Sequence, residues 1–265
     1  ISGSLVALVT MRISWLAGLR LSVASAFFFC VLEFLMSGQI TYASLYISVV
    51  FLGLSICLGI VLDRSGRQSS PLLLLATLLI LFSCFFRILT GDADQFWYHQ
   101  ITPILEVLQG ENSAIFSEQA IVQMSSQMQH VFLVMMFLTF VAIIFLSRWW
   151  QAELYNPGGF GFEFRAIKMP KVALYGVTIA GAAVTLNTIL NSNMPIVTDC
   201  FIILVLLFAF QGLAVVHAKA YTTNLSNGWM ISLYVSLVVV PQFVGLVLAT
   251  TGVADSLADF RRAKV

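Results

Sequence analysis

Hydrophobic residues in this chain fall in long uninterrupted runs. They show neither the alternation of a half-buried strand nor the single stripe of a soluble helix. The runs cover residues 21–37, 42–62, 72–89, 130–147, 172–190, 195–216 and 229–250. Each is close to the 20 or so residues that cross a hydrocarbon core of about 30 Å. Residues 1–10 read as the end of one further span, closed by Met11 and Arg12, which leads us to expect more chain before Ile1. The pattern predicts an all-α, polytopic transmembrane helix bundle of about seven to eight spans, a single domain over residues 1–265. A β-barrel would instead show alternating segments of about 10 residues.

Composition sharpens this picture. The chain is 60% hydrophobic and 9% charged, with mean hydropathy +0.96, whereas soluble domains carry roughly 25% charged residues. A net charge of +1 gives no clustered basic surface for phosphate, which excludes nucleic acid as a partner. The bilayer is the expected partner, with a membrane complex or a homo-oligomer as further expectations. Cys30, Cys57, Cys84 and Cys200 lie inside apolar runs without CxxC or Cys/His spacing. They read as small buried hydrophobes, and no metal or other cofactor is expected.

Charge sets the orientation through the positive-inside rule. One set of alternate connections holds Arg12, Arg20, Arg64, Arg67, Arg148, Arg165, Lys168, Lys171 and Lys219, nine of the 13 Lys and Arg. That side is expected to be cytoplasmic, and the membrane a bacterial inner membrane. Trp149, Trp150 and Trp229 fall at inner edges and Trp97 and Tyr98 at an outer one, as aromatic belts do. The tail residues Arg261, Arg262 and Lys264 conflict with this count, because seven complete spans place them outside. Either residues 229–250 are re-entrant, breaking near Pro241, or the tail escapes the rule by emerging last.

Two connections are long. Residues 91–129 carry Asp92, Asp94, Glu106, Glu111 and Glu118 with no Lys or Arg. Within them Ile115, Phe116, Ala120, Ile121 and Met124 share one helical face, which predicts a helix along the membrane surface. It would either cover an outward-facing cavity or pack on neighbouring span ends. Residues 148–171 contain the turn Asn156-Pro157-Gly158-Gly159, then Phe160, Phe162 and Phe164 alternating with Gly161 and Glu163. Pro fixes φ and Gly supplies positive φ, so this reads as an amphipathic cytoplasmic connector. A docking role for partners would use Asn156, Pro157, Gly158, Gly159, Phe160, Phe164 and Arg165, with Arg261 and Arg262 of the tail.

Charged groups inside spans are costly and are suspects for function. Glu33, Arg87, His130, Asn187 and Asp199 all fall near the outer ends of their spans. If they converge, they form an outward-opening polar pocket that binds ligand, with Glu33 and Arg87 as an ion pair; otherwise each snorkels to the headgroups. Near the inner face, Gln211 and His217 are six residues apart and share no face. Gln211 is expected to hydrogen-bond a neighbouring helix, and His217 to sit at a helix C-terminus. No Ser-His-Asp order, HExxH or paired acids appear, so no catalytic residue is expected and the chain reads as non-enzymatic.

The stretches "LVTMRISWLAGLRL", "LYNPGGFGFEFRAIKM", "QGLAVVHA" and "DSLADFRRAKV" resemble the YybS-like family of bacterial membrane proteins. That family is distantly similar to the S components of energy-coupling-factor transporters and to the cell-shape scaffold MreD. The resemblance implies an S-component-like helical bundle with an outward-facing small-molecule site. Binding or assisting transport of a small molecule is therefore the expected function. The alternative it carries is a scaffold or assembly subunit that recruits partner proteins, as MreD does.

Overall fold

The structure, a computed structural model, describes residues 1–109, 116–192 and 194–261. The described residues form helices and turns, with no strand. The helices are α1 (Ser2–Arg12), α2 (Trp15–Ser37), α3 (Tyr42–Ser65), α4 (Ser69–Thr90), α5 (Ala93–Gln109), α6 (Glu118–Tyr155), α7 (Gly159–Arg165), α8 (Lys171–Ile189), α9 (Pro195–Thr222), α10 (Asn227–Val239) and α11 (Pro241–Ala258). Helix is the form that satisfies every backbone donor and acceptor within one segment, which a hydrocarbon solvent demands. Six helices are long and apolar enough to cross a bilayer: α2, α3, α4, α6, α8 and α9. The chain is thus a multi-pass membrane protein in its helix lengths and composition.

Local chemistry sets the boundaries. Ser14 caps α2 by accepting from the Ala17 N–H at 3.1 Å, and Gly38 ends that helix at φ 71°. Ser117 caps α6 the same way, accepting from Ala120 N–H at 3.3 Å. Pro195 opens α9 at a position whose N–H has no intrahelical acceptor.

Two features depart from the sequence reading, and a third takes up one of its alternatives. The predicted surface helix is absent as a separate element: Ala120, Ile121 and Met124 belong to the first turns of α6, which runs unbroken for 38 residues. Ile115 lies outside the described residues. The amphipathic helix of this connection is α5, which packs along α6 through Ile101, Leu105 and Ile121. Secondly, α9 continues to Thr222, so His217 sits inside the helix and not at its end. Thirdly, the run at 229–250 divides into α10 and α11 at Val240–Pro241. Pro lacks the N–H and clashes with the preceding turn, so one continuous helix is broken there.

That break bears on the conflict over the tail. Tyr234 of α10 hydrogen-bonds His217 at 2.9 Å, beside Phe164 of α7. Arg261, beyond α11, donates to the Arg165 and Ile167 carbonyls, each at 2.8 Å, and Lys168 pairs with Asp259 at 3.0 Å. Both ends of the α10–α11 pair therefore lie at the basic end of the bundle. A helix of 13 residues rises only about 20 Å, less than a hydrocarbon core of about 30 Å.

At the centre stands α9, packed by α4, α6, α7, α8 and α11. Its closest neighbour is α11, through Gly212 and Gly252. A Cβ on Gly212 would lie 1.8 Å from the Leu248 carbonyl oxygen, and one on Gly252 would lie 2.2 Å from that of Phe208. Small residues bring two backbones together where lipid provides no hydrophobic drive. At the periphery α2 packs chiefly on α1 and α3, and only 11% of its span is buried, against 44% for α9.

Candidate functional site

Three transmembrane helices place polar side chains at one point, at the end of the bundle opposite the basic residues. Ser83 and Arg87 stand one turn apart on α4, so they share a face. His130 comes from α6 and Asp199 from α9. Asp199 Oδ2 accepts from Ser83 Oγ at 2.6 Å and from Arg87 Nε at 2.6 Å. Its Oδ1 lies 2.7 Å from His130 Nδ1. An ionised carboxylate only accepts, so Nδ1 carries the proton in this contact. Asp199 is fully buried, while Arg87 and His130 keep 13% and 17% of their side chains exposed. Arg87 uses Nε, so the carboxylate does not occupy its terminal nitrogens.

The start of α5 lies beside this cluster. Trp97 Nε1 donates to Gln129 Oε1 at 2.9 Å. Its ring packs with Phe86, Phe96 and Phe132. Gln129 is fully buried, and its Nε2 has no acceptor among the described residues. Because Trp97 fixes Oε1 as the acceptor, Nε2 is the remaining donor of this amide, costly to leave unmade. Asp92 caps α5 by accepting from the Asp94 and Gln95 N–H groups. Burial and the neighbouring Asp92 raise the Asp94 carboxyl above its ordinary value, against the lowering influence of Arg87 and His130.

Of the five candidate pocket residues, Arg87, His130 and Asp199 meet; the other two do not join them. The expected Glu33–Arg87 ion pair is replaced by Arg87–Asp199. Glu33 Oε1 instead accepts from Thr41 Oγ1 at 2.9 Å, across the α2–α3 turn. Asn187 Oδ1 accepts from Met194 N–H at 3.2 Å and closes the turn between α8 and α9. Ser83 and Gln129 escaped the sequence reading because uncharged polar residues are common in spans. Their signals were spacing from Arg87 by four and adjacency to His130.

At the basic end, part of the connector turns inward and part stays exposed. Gly158 takes φ 83° and starts α7, which seats Phe160 and Phe164 against Phe145, with Phe164 also against His217. Phe164 is 8% exposed and Phe162 71%, so the alternating aromatics point the opposite way to a docking face built on Phe160 and Phe164. A strand would have sent these three to one side; helical α7 turns Phe162 away. Arg165 lies over the Tyr221 ring at 4.0 Å. Arg261 is tied to Asp255 at 2.7 Å and to the two carbonyls above, while Asn156, Pro157 and Gly158 are exposed and Gly159 half-buried. Arg262 lies outside the described residues.

Gln211 bridges helices: its Oε1 accepts from Met169 N–H at 2.8 Å, and its Nε2 donates to Asp255 and Ser256, both at 2.9 Å. Arg148 binds Glu163 through Nε at 2.7 Å and also reaches Gln151. These groups satisfy one another and lock the connector and tail to α6 and α9. Among the described residues no group of three or more His, Cys, Asp or Glu is placed to hold a metal ion. In comparisons with known proteins, no family model, no curated protein and no solved structure matches this chain.

Proposed function

We propose that this is a non-enzymatic membrane protein that binds a small molecule, or assists its transport, at the polar cluster under α5. The observation that carries this reading is the pairing of a fully buried Asp199, held by Arg87, His130 and Ser83, with an unsatisfied Gln129 donor beside it. Charge inside a span is retained at a cost of several kcal/mol, about 2.5–3.5 on insertion scales, and marks substrate or ion pathways. An orphan amide N–H and the terminal nitrogens of Arg87 favour a ligand with carboxylate or carbonyl acceptors. In this reading α5 is the cover, since it packs on α6 through one side and carries Trp97 over the site. The resemblance of the sequence to the YybS-like family, itself distantly similar to S components, is a further reason for this reading.

The test is native mass spectrometry of the protein released from mild detergent. Wild type should retain a small-molecule adduct, which Arg87→Met and Gln129→Leu lose and Glu33→Gln keeps. Gln129→Leu removes the orphan donor at similar volume and should fold. An adduct that survives both substitutions, or none in wild type, rejects the site. A scaffold role through the connector would draw on exposed residues that include Leu154, Tyr155, Asn156–Gly158, Phe162, Lys168 and Lys171.

A further inference from the structure

The molecule has a second site candidate, on other helices. A cavity of about 790 Å³ lies where the start of α1 meets the halves of α2 and α3 farther from the basic end. The volume lies in the range of small-molecule pockets, about 300–1,000 Å³. On α2 its wall runs from Ala24 to Leu32, a rise of about 12 Å along the helix. Phe28 in that wall is 68% exposed, and α2 packs chiefly on α1 and α3. The cavity therefore opens sideways, toward the acyl chains, and is filled from the lipid phase.

Its walls are neutral but not wholly apolar. Among the described residues no charged side chain lines it, so an ion would enter without a counter-charge and lose its hydration unpaid. Each long wall carries a serine with an aromatic ring three residues on: Ser25 with Phe28 on α2, and Ser48 with Phe51 on α3. That spacing keeps hydroxyl and ring on one helix face. Other serines of these two helices spend their hydroxyls on the carbonyl one turn back. Ser22 donates to Gly18 at 3.0 Å, and Ser55 to Phe51 at 2.8 Å. Ser25 and Ser48 make no such bond, nor any other side-chain hydrogen bond among the described residues. Both are half-buried, so two hydroxyls stand in an apolar wall with their bonding capacity unused. A hydroxyl removed from water without a partner is costly, and an entering oxygen relieves that cost. A pure hydrocarbon chain cannot.

We propose that the cavity between α1, α2 and α3 binds an uncharged medium-chain lipid with a hydroxyl or ester head, its chain against Phe28 and Phe51 and its oxygens on Ser25 and Ser48. This does not rest on the polar cluster under α5. The probe is radiolabelled 1-decanoylglycerol on the full chain in phosphatidylcholine nanodiscs; empty nanodiscs set the background. Saturable binding is expected. Unlabelled 1-decanoylglycerol should displace the label, whereas decane, which lacks the head, and decyl sulfate, which carries a charge, should displace it at least tenfold less well. Ser25→Ala combined with Ser48→Ala removes two oxygens and no packing, and should weaken binding at least tenfold. Ala24→Phe, which fills the cavity, should abolish it. Gln129→Leu should leave it unchanged, so failure here is distinct from failure of the site under α5. Absence of saturable binding overturns the assignment, as does full affinity in the double serine variant or in a folded Ala24→Phe protein. Equal displacement by decane would make this a groove for hydrocarbon chains only, and equal displacement by decyl sulfate would remove the preference for an uncharged head; either result also overturns it.

Discussion

At the residue scale, the protein concentrates its electrostatic risk at Asp199. Removing one partner of a buried ion pair leaves the other charge uncompensated, at a cost of about 3–5 kcal/mol. Arg87→Met should therefore lower the thermal unfolding midpoint in detergent markedly, and adding Asp199→Asn should restore much of the loss. If the double variant is no more stable than Arg87→Met, the pairing is not what holds these helices. Asp94 predicts a pH dependence of defined sign. Its carboxyl is raised in the folded protein, so the fold holds that proton more tightly than the unfolded chain does. Stability is then greatest where both states are protonated, and it declines as pH rises from the ordinary value of 3.8 through the raised one. Asp94→Asn should flatten that decline in unfolding midpoints measured across pH; an unchanged slope would assign it to other groups.

Among elements, the closest contact is between α9 and α11. Gly212→Ala drives a methyl into the Leu248 carbonyl, and a backbone cannot swing aside as a side chain can. Overpacking of this kind costs about 1–3 kcal/mol. Gly53 and Gly245 have open space at the same test, so Ala there should be neutral or stabilising by up to about 1 kcal/mol. Unfolding midpoints of the three variants decide it: equal effects would mean that α9 and α11 are not in backbone contact. The short helix α7 gives a second contrast. Phe164→Ser removes a buried ring from Phe145 and His217 and should cost about 3–5 kcal/mol, whereas Phe162→Ser changes an exposed ring and should be near neutral. Loss of a partner protein with Phe164→Ser would thus report unfolding of the connector, not a lost docking contact.

On the scale of the whole molecule, a re-entrant α10–α11 pair predicts where the chain emerges. Reagents that cannot cross the membrane should label Pro157→Cys and Lys264→Cys from the same side, in a background lacking the four native cysteines. Ser192→Cys should be labelled from the other side. Labelling of Lys264→Cys together with Ser192→Cys would make residues 227–258 a full crossing.

Most spans were legible before any coordinates, because solvent sets them: a run of apolar side chains long enough for a bilayer must be helical there whatever it touches. α3, α4, α8 and α9 begin or end within a few residues of their apolar runs. The break at Pro241 was legible as an alternative, since proline's geometry is local. The site was legible only as a set of levels. Glu33, Arg87, His130, Asn187 and Asp199 share a depth, which follows from position along each span. Which of them face one another depends on helix rotation and neighbour order, and those are products of packing. Tertiary structure alone brought Arg87, His130 and Ser83 onto Asp199 and left Glu33 with Thr41. It also turned Phe164 inward and returned Arg261 to the connector. Residue chemistry and spacing determine what can live in lipid; only the assembled bundle decides which buried charge meets which, because that choice depends on contacts between segments far apart in the chain.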